Sequence, residues 1–152
     1  VREAPVGFEL RLQGGTETPR MRVLVDTSVW SLSLRKHGPS DHPTVEQLTT
    51  LLQADEDVVL TGLILQEILQ AFRSHSMFRR VARRLEPFPL LDLERRDYIA
   101  AASLHRSCAA RGVSVSTADC RIAIAAIRHD CLLLSADRDF ERIARFSDLR
   151  LA

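Results

Sequence analysis

Lysine is almost missing from this chain: of 152 residues only Lys36 is one, and arginine carries nearly all the positive charge. That disfavours phosphate-handling folds that need a lysine late in the sequence. Cysteine is scarce as well. Cys108, Cys120 and Cys131 are odd in number and form no CxxC pair, which argues against a disulfide framework or a zinc site and leaves buried free thiols as the expectation. His129 lies near Cys131, but no second ligand pair accompanies them. Aromatic residues make up 5% of the chain, too few for an extensive base-stacking platform. No GxxxxGK[ST] occurs, so there is no P-loop. No apolar run is long enough to span a membrane, and residues 1–20 have no apolar core of a secretory signal. The expected compartment is therefore the cytoplasm. The formal net charge of +1 means that the molecule as a whole does not attract polyanions.

What is present is ordinary in bulk and uneven in detail. The chain is 45% apolar and 27% charged, as expected for one soluble domain with one core. Residues 1–20 mix Gly, Pro, Thr and charge without periodicity and read as a poorly ordered extension, with a single domain over 21–152. Val23-Leu24-Val25 has no polar residue inside it, the habit of a strand buried on both faces of a parallel sheet. Thr27 or Ser28 would cap a short helix through Trp30, and Lys36 to Pro39 form a loop. A helix over 44–54, a strand at Val58–Leu60 and a helix from Leu63 to Phe72 follow. Residues 76–85 form an amphipathic helix ended by Pro87. Then come a strand over Pro89–Leu93, a helix over 94–111 closed by Gly112, and a short strand at Val113–Val115. A helix capped by Ser116 or Thr117, a strand at Cys131–Leu134, a short helix near Ile143 and an edge strand at Leu149–Leu151 complete the chain. The alternation predicts an α/β fold in three α/β/α layers around a mostly parallel sheet of four to five strands.

Acids recur where such a sheet places its ligands. Asp26 ends the first strand, Asp119 lies in the first turn of a helix, Asp137 ends a later strand with Asp139 two residues on, and Glu67 is early in a helix leaving the same edge. Each alone is as well explained by a cap, a turn or a solvated helix face. Together they would crowd negative charge into one pocket, where a cation must sit or a carboxyl must stay protonated. Oxygen ligands suit Mg²⁺ or Mn²⁺ rather than zinc, and an ion so held activates water for phosphoryl displacement. Ser28 stands where a haloacid-dehalogenase-type phosphatase would carry a second acid. A second uneven feature is the run 71–85, with Arg73, Arg79, Arg80, Arg83, Arg84 and no acid. These arginines could grip phosphates, contact a protein partner, or be no more than a solvated face.

Four blocks carry a family resemblance: Val25-Asp26-Thr27-Ser28-Val29-Trp30, Leu65-Gln66-Glu67-Ile68-Leu69, Thr117-Ala118-Asp119-Cys120-Arg121-Ile122-Ala123 and Ser135-Ala136-Asp137-Arg138-Asp139-Phe140. In this order and spacing they resemble PIN domains, and more narrowly the VapC-type toxins of type II toxin–antitoxin systems. The likeness covers residues 21–152; the extension before it departs from the family pattern, in which the strand opens the chain. It implies a Mg²⁺-dependent endoribonuclease, with Mn²⁺ substituting, that cleaves transfer or ribosomal RNA by metal-activated water and is silenced by a VapB-type antitoxin. It implies Asp26, Glu67, Asp119 and Asp137 as the acidic quartet, Asp139 as a supporting or alternative ligand, Thr27 or Ser28 as orienting hydroxyls, and a homodimer without membrane attachment. The alternatives are a catalytically inactive PIN-fold RNA-binding or scaffold module, and a nuclease acting on DNA or flaps, whose relatives are usually longer.

Overall fold

The computed structural model describes residues 20–35, 37–38 and 41–152. The proposed extension therefore lies outside the described residues except for Arg20, whose guanidinium pairs with Asp55 at 3.0 Å. Five strands, β1 (Arg22–Val25), β2 (Asp57–Thr61), β3 (Leu90–Leu91), β4 (Leu132–Leu134) and β5 (Arg150–Leu151), form one sheet in the order β3-β2-β1-β4-β5. Every pairing is parallel. The helices among the described residues are α1 (Thr27–Ser33), α2 (Pro43–Gln53), α3 (Gly62–Gln70), α4 (His75–Leu85), α5 (Arg95–Ala110), α6 (Thr117–Arg128) and α7 (Asp139–Ala144). α1 packs on α2 and α3, α3 packs on α4, and α6 packs on both α5 and α7, which gives the three-layer α/β/α architecture.

The core follows from the apolar runs. Val23, Leu24 and Val25 are fully buried, as a central parallel strand requires. Leu60, Ile64, Leu133, Phe140 and Ile143 surround them at 1% exposure or less. Trp30 tilts against Phe88 with ring centroids 5.3 Å apart, fixing α1 near the entry to β3. In α4 the amphipathic reading holds: Val81 and Leu85 are buried while Arg79, Arg80, Arg83 and Arg84 face out.

Two expectations need correction. Residues 113–115 form no strand. α5 instead ends in a Schellman closure: the Gly112 amide donates to the Ala109 carbonyl at 3.0 Å and the Val113 amide to the Cys108 carbonyl at 2.9 Å, with Gly112 at φ +73°. That spends the first amide of the segment on the helix end, and the chain reaches the cap of α6, Ser116, three residues later. Val115 is buried by side-chain packing alone. The third strand is also shorter than its sequence suggested. Pro89 contributes only its carbonyl, to the Leu60 amide at 3.0 Å, and pairing stops after Leu91.

Candidate metal centre at the carboxyl edge of the sheet

The strand order places β1 between β2 and β4. The chain travels outward from β1 to β3, then returns to the other side of β1 for β4 and β5. Open parallel sheets leave a crevice at such a reversal, outside the carboxyl ends of the two strands concerned. Here those strands deliver Asp26 and Ser135.

Asp26 is 6% exposed. Its backbone occupies the N-cap position of α1, at φ −69° and ψ 155°, yet its carboxylate makes no capping bond. The expectation that Thr27 or Ser28 would cap this helix is thus corrected, because α1 begins at once after the strand and both hydroxyls turn to acids instead. Ser28 donates to Asp26 Oδ2 at 2.7 Å, and Ser135 donates to the same oxygen at 2.9 Å. Ser135 is opposite because the β1–β4 register continues past Val25↔Leu134, with the Asp26 amide donating to the Leu134 carbonyl at 2.9 Å. The Ala136 and Asp137 amides donate to Ser28 Oγ and Ser135 Oγ, each at 3.0 Å. Each hydroxyl has one proton. Both are aimed at Oδ2, so Asp26 is held from the first turn of α1 and from the end of β4, and its Oδ1 has no protein donor among the described residues.

Thr27 donates to Glu67 Oε2 at 2.6 Å. Glu67 is the sixth residue of the nine-residue α3, further along than the sequence suggested, and reaches back toward β1 through that bond. Asp119 sits at N3 of α6 in a capping box. Its amide donates to Ser116 Oγ at 3.0 Å, and its own Oδ2 accepts from the Ser116 amide at 3.3 Å. Asp137 Oδ1 accepts the Asp139 amide at 2.9 Å, and Asp139 pairs with Arg142 at 3.3 Å. The bland cap and turn roles are therefore real, and they serve to aim the acids.

Asp119, Asp137 and Asp139 each offer an oxygen, all within 4.8 Å of one another. Asp26 and Glu67 stand outside this group of three. Burial holds the Asp119 carboxyl above its usual range, against the opposing pull of the Ser116 hydrogen bonds, and the charges of Asp137 and Asp26 push the same way as burial. A cation would relieve that cost. The donors are carboxylate oxygens without thiol or imidazole, which fits a hard divalent ion such as Mg²⁺ or Mn²⁺. The three cysteines are buried and free, and burial pushes the thiols of Cys120 and Cys131 up to about 11, away from ligand chemistry.

Residues 23–146 match the PIN domain family. The chain belongs to the PIN-domain family. This PIN domain is 31% identical over 132 residues to a VapC ribonuclease of Mycobacterium bovis and to ribonuclease VapC11 of Mycobacterium tuberculosis, matches that span 86% of this chain and 97% of each relative. The same backbone architecture occurs in VapBC2 of Rickettsia felis, solved bound to a promoter DNA fragment, with a TM-score of 0.69 at 17% identity over 87% of this chain and 98% of that one. FitAcB of Neisseria gonorrhoeae is similar, with a TM-score of 0.64 at 22% identity over 85% of this chain and 95% of that one.

Two features of the PIN domain escape sequence reasoning. Ser135 looks like a turn serine, and only the β1–β4 register shows it against Asp26. Asp97, 4% exposed, reads as a solvated helix charge. It bonds the Glu94 amide at 2.8 Å in a capping box and meets Arg128 of α6 at 3.4 Å, so it joins helices and takes no part in the site.

Proposed function

We propose that this PIN domain is a divalent-metal-dependent endoribonuclease and the toxin half of a VapBC-type pair. The observation that carries the reading is the convergence of Asp119, Asp137 and Asp139 beside a clamped Asp26 at the switch point of the sheet. Likeness to VapC ribonucleases over nearly the whole chain supports RNA as substrate, transfer or ribosomal RNA being the expected class. Mg²⁺ is the expected ion, with Mn²⁺ substituting, held by Asp26, Asp119 and Asp137 with Asp139 and Glu67 in support. When bound, such an ion polarises the scissile phosphoryl group and makes a nucleophile of water at neutral pH.

The residues of the chain do the positioning. Ser28 and Ser135 keep Asp26 Oδ2 occupied and leave Oδ1 without a protein donor among the described residues. Thr27 holds the Glu67 carboxylate through its hydroxyl. The capping box fixes Asp119 on the first turn of α6, so binding does not have to order a loose acid. Water attacks phosphorus in line and the 3′-oxygen leaves, giving 3′-hydroxyl and 5′-phosphate ends.

A VapB-type antitoxin would silence the enzyme by placing a basic side chain among these carboxylates. A second copy of the chain would cover apolar surface such as Tyr98 and Ile99 of α5, which are 49% and 64% exposed. Among the described residues no helix is long and apolar enough to cross a membrane. Mapping RNA ends in cells after induced expression tests the reading. New 5′-phosphate ends at a few defined sites are expected, and an unchanged end map with growth unaffected would contradict it.

A further inference from the structure

We infer that the outer face of α4 is a rail for the phosphate backbone of the RNA substrate, separate from the acids that cut it. This rests on the ribonuclease reading and extends it to substrate grip. Arg79, Arg80, Arg83 and Arg84 are all exposed, and none takes part in an ion pair or hydrogen bond among the described residues. No acid occurs in residues 71–85. The pairs 79/83 and 80/84 are one helical turn apart and 80/83 three residues apart, so like charges face one another and oppose the helix they sit on. The helix persists because Val81 and Leu85 are buried on its other side. With His75 and Ser76, the four guanidinium groups line a shallow recess of about 560 Å³.

The chemistry of this face selects its occupant. The helix rises about 6 Å between the arginines of each i, i+4 pair, and each guanidinium presents a planar fork matched to phosphate oxygens. His75, at one end of the recess, stacks on Phe78, at 6.3 Å between ring centroids and 9° between planes. Four positive charges, with no acid in residues 71–85 to offset them, make the face complementary to a polyanion. A second copy of the chain related by a two-fold axis would set arginines against arginines. α4 packs on α3, the helix that bears Glu67, so a strand lying on the rail could continue toward the acidic crevice. Arg73, exposed in the link between the two helices, would extend the rail in that direction.

The test measures binding with cleavage switched off. Protein carrying Asp119→Asn is titrated into a fluorescent single-stranded RNA of about 20 nucleotides at 50–200 mM salt, with and without Arg79→Gln, Arg80→Gln, Arg83→Gln and Arg84→Gln together. Four lost contacts should flatten the slope of log affinity against log salt by about 3 and weaken binding at the low-salt end by at least tenfold. The four Arg→Lys changes together should keep most of the slope, and circular dichroism should show all variants folded. Binding within twofold of the parent at an unchanged slope would overturn the proposal. So would loss of affinity for poly-L-glutamate alone, which would assign the face to an acidic protein. Cleavage by wild-type protein is read separately: no cleavage with the slope effect intact defeats the ribonuclease reading, whereas cleavage with no slope effect defeats only the rail.

Discussion

Asp119 is the residue whose environment says most about the site. Burial and the charges of Asp137 and Asp26 hold its carboxyl above the usual range. Below the ordinary carboxylate value Asp119 is protonated in both folded and unfolded chains. As pH rises through its raised folded value, the folded protein must give up a proton that the unfolded chain has already lost. Its contribution to stability is therefore present at acid pH and lost as pH rises. In EDTA, Asp119→Asn should raise the thermal midpoint near neutral pH, at about 2–4 °C per kcal/mol relieved. The same variant should lose most of the Mg²⁺-induced rise that the parent shows, and scanning calorimetry with and without the ion reads both effects. A parent midpoint indifferent to Mg²⁺ at neutral pH would count against the site. Ser135 makes the second residue-scale prediction. Ser135→Ala removes one of two hydrogen bonds to the Asp26 carboxylate, an interaction of about 1.5–3 kcal/mol, so kcat/KM for RNA should fall by about tenfold or more with little change in fold. Unaltered kinetics would mean that Ser28 alone orients Asp26.

At the scale of elements, helix ends do most of the positioning. α6 carries Asp119 because Ser116 caps it, and α5 is tied to α6 through Asp97, Glu94 and Arg128. Asp97→Ala removes a capping-box acid and leaves a guanidinium that is 25% exposed with only the exposed Glu94 beside it. A loss of about 2 kcal/mol in urea unfolding is expected, with cleavage by the folded fraction retained. A change under about 0.5 kcal/mol would place the α5–α6 tie in packing alone. Elements also differ in how openly the sequence announces them. β1 was legible because an uninterrupted apolar run is what a doubly covered strand needs. Val113-Ser114-Val115 offers β-branched residues about a serine, but Gly112 in the left-handed region sends the Val113 amide back to Cys108, and the segment forms no strand. Asp97 was not legible, since nothing local distinguishes a charge that α6 will bury from one that water will keep.

At the scale of the molecule, topology converts scattered acids into a site. The sequence order of Asp26, Asp119, Asp137 and Asp139 was enough to suggest one edge of one sheet, because every strand of a parallel sheet ends on the same side. Which acids would touch was not legible. The grouping of Asp119 with Asp137 and Asp139, and the clamp on Asp26, depend on β4 pairing beside β1 in a particular register. The thiols belong to this scale as well. With Cys108, Cys120 and Cys131 all buried, a thiol reagent should label the native protein slowly and label all three on unfolding. Fast native labelling would show an opening that the packed core does not provide.

The central claim is that the carboxylates at the switch point hold a divalent ion for RNA cleavage. The most direct test is the single-turnover rate of RNA cleavage as Mg²⁺ is titrated into EDTA-treated wild-type protein and into Asp26→Asn and Asp119→Asn proteins of equal purity. A saturable rise for the wild type, reversed by EDTA, with rates at least about 100-fold lower for both variants, is the predicted result. Cleavage that proceeds equally in EDTA, or that survives undiminished in Asp119→Asn, would contradict it.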